Sequence, residues 1–360
     1  MRFTSVKRNN KPSHCTCRIG VLPGVAVLWF LLFVLNTKSF MHLERTRSLF
    51  QVSSSAGDPQ VVSTTCEIHF TDESMSLCHF VPYKSFGGNF GDMLGPAVIQ
   101  RVLLQHFEGC DPSTVSTRDV VEHGHGGGKC LFSVGSVMHQ TRPGDAVWGT
   151  GINPYRQAKL KRTIPKQIDF YSVRGPQSLA YLRHNSSYSS IDVPAGDPGY
   201  LIPFLFPEYM PPPAPTTNVQ FCFVPHAHDR NQGIQHDDIT LVSVSQPWRT
   251  VLQTLLHNCT HVASSSLHGI VVADAMGLST MWFQWKGSET ATSEGTFKYL
   301  DYLQSIGRVQ GLVPISNVKH LKKTSLYFAP LKLETRRAIA GRTLSSFPFH
   351  LFEKKEQGGN

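Results

Sequence analysis

Residues 261–277 constrain the fold more than any other stretch. An apolar step, His261-Val262-Ala263, runs into Ser264-Ser265-Ser266-Leu267-His268-Gly269, and an amphipathic run with Ala and Leu at helical spacing follows. That grammar reads as a buried strand, a tight turn and a helix. It places His268 where the first helical turn offers free backbone N–H groups, the place where open α/β sheets bind anions. A histidine there can pass a proton to or from a ligand while the helix end holds negative charge. Taken alone, His268 reads first as a structural neighbour of a helix N-cap, and the rest of the chain changes that weighting.

The same alternation extends along most of the chain. Strands are expected at Cys78–Tyr83, Cys130–Val134, Ala146–Trp148 and Ile168–Val173, with helices over Met93–Phe107 and Gln177–Leu182. Glu208-Tyr-Met-Pro-Pro-Pro-Ala-Pro-Thr-Thr217 is a proline-rich linker. Beyond it, strands are expected at Val219–Val224, Ile239–Val244 and Met281–Trp285, and helices over Trp248–Leu256 and Phe297–Ile306. Strand–helix units on both sides of a linker predict two Rossmann-like α/β domains, 71–207 and 218–323, with mostly parallel sheets and a ligand cleft between them. Residues 37–70 are polar and read as a stem; 324–360 form a basic, aromatic C-terminal tail.

The N-terminus carries a different signal. Residues 19–36 form an apolar run flanked by Arg18 and Lys38, at the lower limit of roughly 17 residues for a span. No small-residue cleavage site follows, so an uncleaved transmembrane signal anchor is expected, with 1–18 as a cytosolic tail. Six of the eight cysteines, Cys66, Cys78, Cys110, Cys130, Cys222 and Cys259, would then be lumenal and able to form disulfides, Cys66 with Cys78 closing a short loop. Asn185 and Asn258 head glycosylation sequons. The net charge of +9 suits anionic ligands, but the body of the chain has no basic block with interleaved aromatics, so no nucleic-acid partner is expected.

Four loops at predicted strand ends carry functional side chains. In Gly87-Gly88-Asn89-Phe90-Gly91-Asp92, glycines admit a ligand, and Asp92 either accepts a sugar hydroxyl proton or caps the next helix. In Arg174-Gly175-Pro176, arginine faces a helix N-terminus, as a carboxylate or phosphate clamp or as a salt bridge. His226 and His228 alternate in the third loop, but no third ligand has matching spacing, so His226 is expected to line the cleft and no metal is expected. His268 occupies the fourth. The chain has no DxD, GxSxG or P-loop pattern.

In this order the loops resemble the polysaccharide pyruvyl transferase family. The matching residues are Asn89-Phe90-Gly91-Asp92, Val134-Gly135-Ser136, Ser172-Val173-Arg174-Gly175-Pro176, Asp197-Pro198, Val224-Pro225-His226, Ser264-Ser265-Ser266-Leu267-His268-Gly269 and Phe297-Lys298-Tyr299-Leu300-Asp301-Tyr302. The resemblance covers roughly residues 80–310. It implies a GT-B-like fold and transfer of a pyruvyl group from phosphoenolpyruvate, as donor substrate, to a sugar, giving a cyclic ketal. Family members act on polysaccharides, and some on terminal galactose of glycans in the Golgi. With the anchor, this implies a single-pass type II Golgi membrane protein with a galactose-containing glycan or polysaccharide as acceptor. His268 is then the general acid or a phosphate contact, and Arg174 the anion clamp. Asn89, Asp92, His226, Ser265, Ser266, Leu267, Gly269 and Lys298 line the substrates. Several members have arginine where this chain has Ser266, so Arg174, Lys298 or Lys286 would supply that cation. The competing reading is a metal-independent GT-B-type glycosyltransferase using a nucleotide sugar.

Overall fold

The computed structural model describes residues 66–80, 89–120, 127–211, 219–229, 238–285, 296–309, 313–315 and 318–356. Contacts group Leu49–Asn360 as one compact unit.

Its frame is a pair of five-stranded, wholly parallel sheets. Strands of the first are β2 (Met75–Phe80), β4 (Thr117–Val120), β5 (Lys129–Phe132), β6 (Ala146–Trp148) and β7 (Asp169–Ser172), in the order β4-β2-β5-β6-β7. The second has β8 (Phe221–Val224), β9 (Ile239–Leu241), β10 (His261–Ser264), β11 (Ser279–Trp285) and β12 (Val313–Ile315), in the order β12-β11-β10-β8-β9. Parallel strands covered on both faces need continuous apolar runs, and Cys130-Leu131-Phe132 is such a run, with no exposed surface. Successive side chains feed opposite faces. Leu131 joins a central core that also takes Val224, Val262 and Trp282 from the second sheet, while Phe132 joins a separate cluster. The two sheets therefore share one core.

The helices are α1 (Phe90–His106), α2 (Pro154–Lys159), α3 (Pro176–Arg183), α4 (Ile202–Leu205), α5 (Trp248–Asn258), α6 (Leu267–Met276), α7 (Phe297–Ser305) and α8 (Leu333–Ser345). Every residue of α6 is buried, so the run expected to be amphipathic is instead a core helix. Its charged residue, Asp274, is accommodated by Arg308 at 3.1 Å and by hydroxyl donors from Thr280 and Tyr302. Gly277, at φ 80°, ends α6 in the left-handed region and turns the chain into β11.

The described parts of both chain ends belong to the fold, while residues 37–65 of the expected stem lie outside the described residues. Residues 66–70 are β1, which pairs in parallel with β3 (Cys110–Asp111) and antiparallel with β13 (Phe352–Glu356). α8 lies across both halves: Trp148 Nε1 donates to Thr343 O and Ser346 Oγ, and Arg336 donates to Ala275 O of α6. The linker is also less independent than its prolines suggest, because Tyr209 is buried against Phe206 and Trp248; its residues 212–217 lie outside the described residues.

Two further expectations are corrected. Cys66 pairs with Cys110 rather than Cys78, Cys78 pairs with Cys130, and Cys222 with Cys259. In the first two cases the bridge joins neighbouring strands, which sequence distance does not reveal. The N-terminal transmembrane anchor is not supported: among the described residues no helix is long and apolar enough to cross a membrane. Residues 19–36 lie outside the described residues. The type II Golgi location rested on that helix and falls with it.

Candidate functional site

Both sheets reverse their strand order once. In the first sheet β2 is flanked by β4 on one side and β5 on the other; in the second, β8 is flanked by β9 and β10. Ligands of open α/β sheets bind beyond the carboxyl ends of the strands at such reversals. The chain leaving β2 enters α1 at Asn89, the chain leaving β8 passes His226, and that leaving β10 enters α6 at His268.

The turn into α6 is tied down by its own serines. Ser264 Oγ accepts from Ser266 N–H and lies 2.9 Å from Val224 O. Ser265 Oγ donates to Asp229 Oδ2 at 2.6 Å and accepts from His226 N–H, while Tyr299 donates to Ser265 O. Ser265, Ser266 and Leu267 are all buried. A Cβ on Gly269 would sit 2.4 Å from Ser264 Oγ, so this glycine lets α6 approach the sheet. Ser265, Leu267 and Gly269, expected to touch substrate, thus build the loop that presents His268.

The His268 ring lies against the first turn of α1. A Cβ on Gly91 would stand 2.1 Å from its Nδ1, so only glycine admits the ring there. Nε2 faces inward, 3.8 Å from Asp197 Oδ2. Burial, with the Arg174 and Lys298 cations, pushes the His268 pKa down to about 3. The ring is neutral at physiological pH, which counts against a standing general acid.

Two groups are instead tuned to neutrality. Asp92, in the first turn of α1, is raised to about 7 by desolvation, against the opposing pull of Lys298 and Arg156. Lys298, on α7, is lowered to about 7 by desolvation and by Arg174 and Arg156. One comes from each half of the molecule, and the charge of Arg156 on α2 acts on both. Asn89 is the N-cap of α1, its side chain accepting from Gly91 N–H. His226 is half-buried at the end of β8.

Arg174 has the predicted surroundings but not the predicted anion. Its Nε donates to Asp301 Oδ2 at 3.2 Å, and Nη1 donates to Ser136 Oγ at 2.5 Å. Asp301, on α7, also accepts from Ser178 N–H and Ser178 Oγ, so it caps α3. Arginine and aspartate are both wholly buried. The clamp of a strand-end arginine and a helix N-terminus therefore holds the chain's own carboxylate. Arg174 is a strut between the halves that also sets the potential at His268 and Lys298.

Asp301, Asp197, Asp229, Arg156 and Tyr299 were not singled out from the sequence as site residues. Asp197, Tyr299 and Asp301 fall within quoted motifs and Arg156 in none, and their partners lie far along the chain. Lys286 and His228's side chain lie outside the described residues, as do Gly87 and Gly88. Among the described residues no group of three metal-ligating side chains is placed to hold an ion. A cleft of about 420 Å³, lined by His139, Arg142, Lys161, Arg162 and their neighbours, contains none of the site residues above.

No family model matches the chain. An uncharacterized protein of Acanthamoeba polyphaga mimivirus is 26% identical over 182 residues, covering 48% of this chain and 59% of that protein. The chain thus matches about three fifths of the length of that relative. A solved structure of an uncharacterized protein from Klebsiella pneumoniae shares 13% identity, covering 66% of this chain and 93% of that one, with a TM-score of 0.29. Both proteins are uncharacterized, and a structural likeness at that TM-score carries no argument about fold.

Proposed function

We propose that the protein transfers a pyruvyl group from phosphoenolpyruvate to a galactose-containing acceptor, forming a cyclic ketal and releasing phosphate. The observation that carries this reading is the convergence of Asp92, Lys298 and His268 at one N-terminal helix end, with the carboxyl and the amine each brought to about 7. The ordered loop motifs that resemble the pyruvyl transferase family support the choice of donor.

The reaction needs a proton for the methylene carbon of the donor, cations for its carboxylate and phosphate, and acceptors for two sugar hydroxyl protons. Asp92 is partly protonated at neutral pH and suits the acid. As the methylene carbon takes that proton, the first hydroxyl oxygen bonds to the adjacent carbon and its own proton passes to the Asp92 carboxylate. The carbon–phosphate oxygen bond then breaks, its electrons leaving with phosphate, as the second hydroxyl oxygen bonds to the same carbon and gives up its proton. Lys298 gains its proton when a polyanion arrives, because the anion stabilises the ammonium, and with Arg156 it neutralises the donor. These roles differ from the sequence expectation, in which His268 was the acid and Asp92 the acceptor.

The test is incubation of the full-length protein with phosphoenolpyruvate and a galactose-terminated glycan, with mass spectrometry for the ketal. Asp92→Asn is expected to lower kcat by about 10²-fold or more. Failure to form ketal, with thermal stabilisation by a nucleotide sugar but not by phosphoenolpyruvate, would favour the glycosyltransferase reading.

A further inference from the structure

The Asp197 carboxyl is buried with one of its oxygens unpartnered among the described residues. It is 1% exposed, at the amino end of a short 3-10 turn, Pro198–Leu201. Oδ1 accepts from Gly199 N–H at 2.9 Å. Among the described residues Oδ2 has no hydrogen-bond partner, and neither has His268 Nε2, 3.8 Å away. Two buried, unpaired polar atoms facing each other from different segments are costly to keep. The surrounding packing enforces the arrangement. Gly149 and Gly196 let Pro198 and Thr343 approach as closely as they do, and Gly91 admits the imidazole.

We infer that Asp197 is a positioning residue for His268: it holds the neutral ring as the Nε2–H tautomer, so that Nδ1 stands at the first turn of α1 as a proton acceptor. The inference rests on the proposed reaction for the identity of the proton it accepts. An ionised Asp197 cannot face an Nε2 lone pair without repulsion, whereas an Nε2–H donates to it. Pairs of this kind are often looser than hydrogen-bond length before substrate binds, and the logic is that of a base oriented by a buried carboxylate. In the ketal-closing step the carbon–phosphate oxygen bond breaks, its electrons leaving with phosphate, as the second hydroxyl oxygen bonds to that carbon and its proton passes to Nδ1. The ring is then charged and paired with Asp197. The departing phosphate takes the proton from Nδ1, which restores the neutral ring.

The groups facing the pair set its pH range. Arg174 and Lys298 disfavour a charged ring, while Arg174 lowers and Asp301 raises the Asp197 pKa, which burial brings to about 6. Below that, a protonated Asp197 donates to Nε2 and the ring's own proton moves to Nδ1, which ends its use as an acceptor.

The test is ¹⁵N NMR of the full chain labelled at histidine, with His268 assigned from His268→Gln. The inference expects a neutral Nε2–H ring at pH 7, loss of that single tautomer in Asp197→Asn, and a tautomer change in the unsubstituted protein as pH falls through about 6. Asparagine retains the bond from Gly199 N–H, and the pH titration needs no variant. A charged ring, an Nδ1–H ring at pH 7, or a signal unchanged in Asp197→Asn would overturn it. So would Asp197→Asn keeping kcat within about twofold where His268→Ala abolishes turnover, because the expected loss is about 10²-fold or more with little change in KM. Absence of ketal formation in the unsubstituted protein would count against the pyruvyl reading alone, since the tautomer is read without substrate.

Discussion

At the scale of single residues, the site is held at a cost to stability. Lys298 is 7% exposed and its ammonium is disfavoured there. An unfolded lysine holds its proton up to about 10.5, the folded one only to about 7. Below pH 7 the folded protein carries the buried cation at full cost, and the cost fades as pH rises through 7 towards 10.5. Lys298→Met is therefore expected to raise stability by about 0.5–2 kcal/mol, more at pH 6 than at pH 9 in thermal melts, while weakening phosphoenolpyruvate binding at least about tenfold. Asp92 runs the other way: its buried carboxylate costs most above about pH 7 and least below 3.8. Gly91→Ala addresses packing instead. Its Cβ would overlap the His268 ring, so a loss of about 1–3 kcal/mol and of turnover is expected, measured by denaturant unfolding and ketal formation.

At the scale of elements, α3 and α7 are joined by one carboxylate. Asp301 caps α3 and pairs with Arg174. Removing one member of a buried pair leaves the other charge unpaired, so Asp301→Asn is expected to cost about 3–5 kcal/mol in denaturant unfolding. This joint also shows where sequence reasoning stopped. The strand–turn–helix grammar around Arg174 was legible, but it left a ligand clamp and a salt bridge open, and the structure shows the salt bridge. The anion itself comes from 127 residues away, and no local pattern encodes that. β10 and α6 were legible for the same reason that β1, α8 and β13 were not. The former carry their apolar content in one continuous stretch. In α8 only Ile339, Ala340, Thr343 and Leu344 are buried, among arginines that bond to distant carbonyls. β13 buries Phe352 alone of its five residues, against Phe70 at 4.6 Å.

At the scale of the whole molecule, three disulfides among the described residues fix strand neighbours and one helix end. The Cys222–Cys259 bridge closes a separation of 37 residues, worth about 4 kcal/mol on the chain-entropy model. Replacing both cysteines by serine is expected to lower the melting temperature clearly, and reductant should do the same to the unsubstituted protein. The six cysteines are at home in an oxidising environment, whatever segment precedes the described residues.

Sequence by itself determined the alternating α/β plan, the parallel strands, the loops that lead to His268, Asp92 and Arg174 and the helix that carries Lys298, because each is written within a few turns of chain. Tertiary structure decided which of these meet and what each one does. It gave Arg174 to Asp301, faced His268 with Asp197, and stripped water from Asp92 and Lys298. Charge state and hydrogen-bond partnership depend on what surrounds a side chain in space, and those neighbours come from segments that the local pattern does not connect.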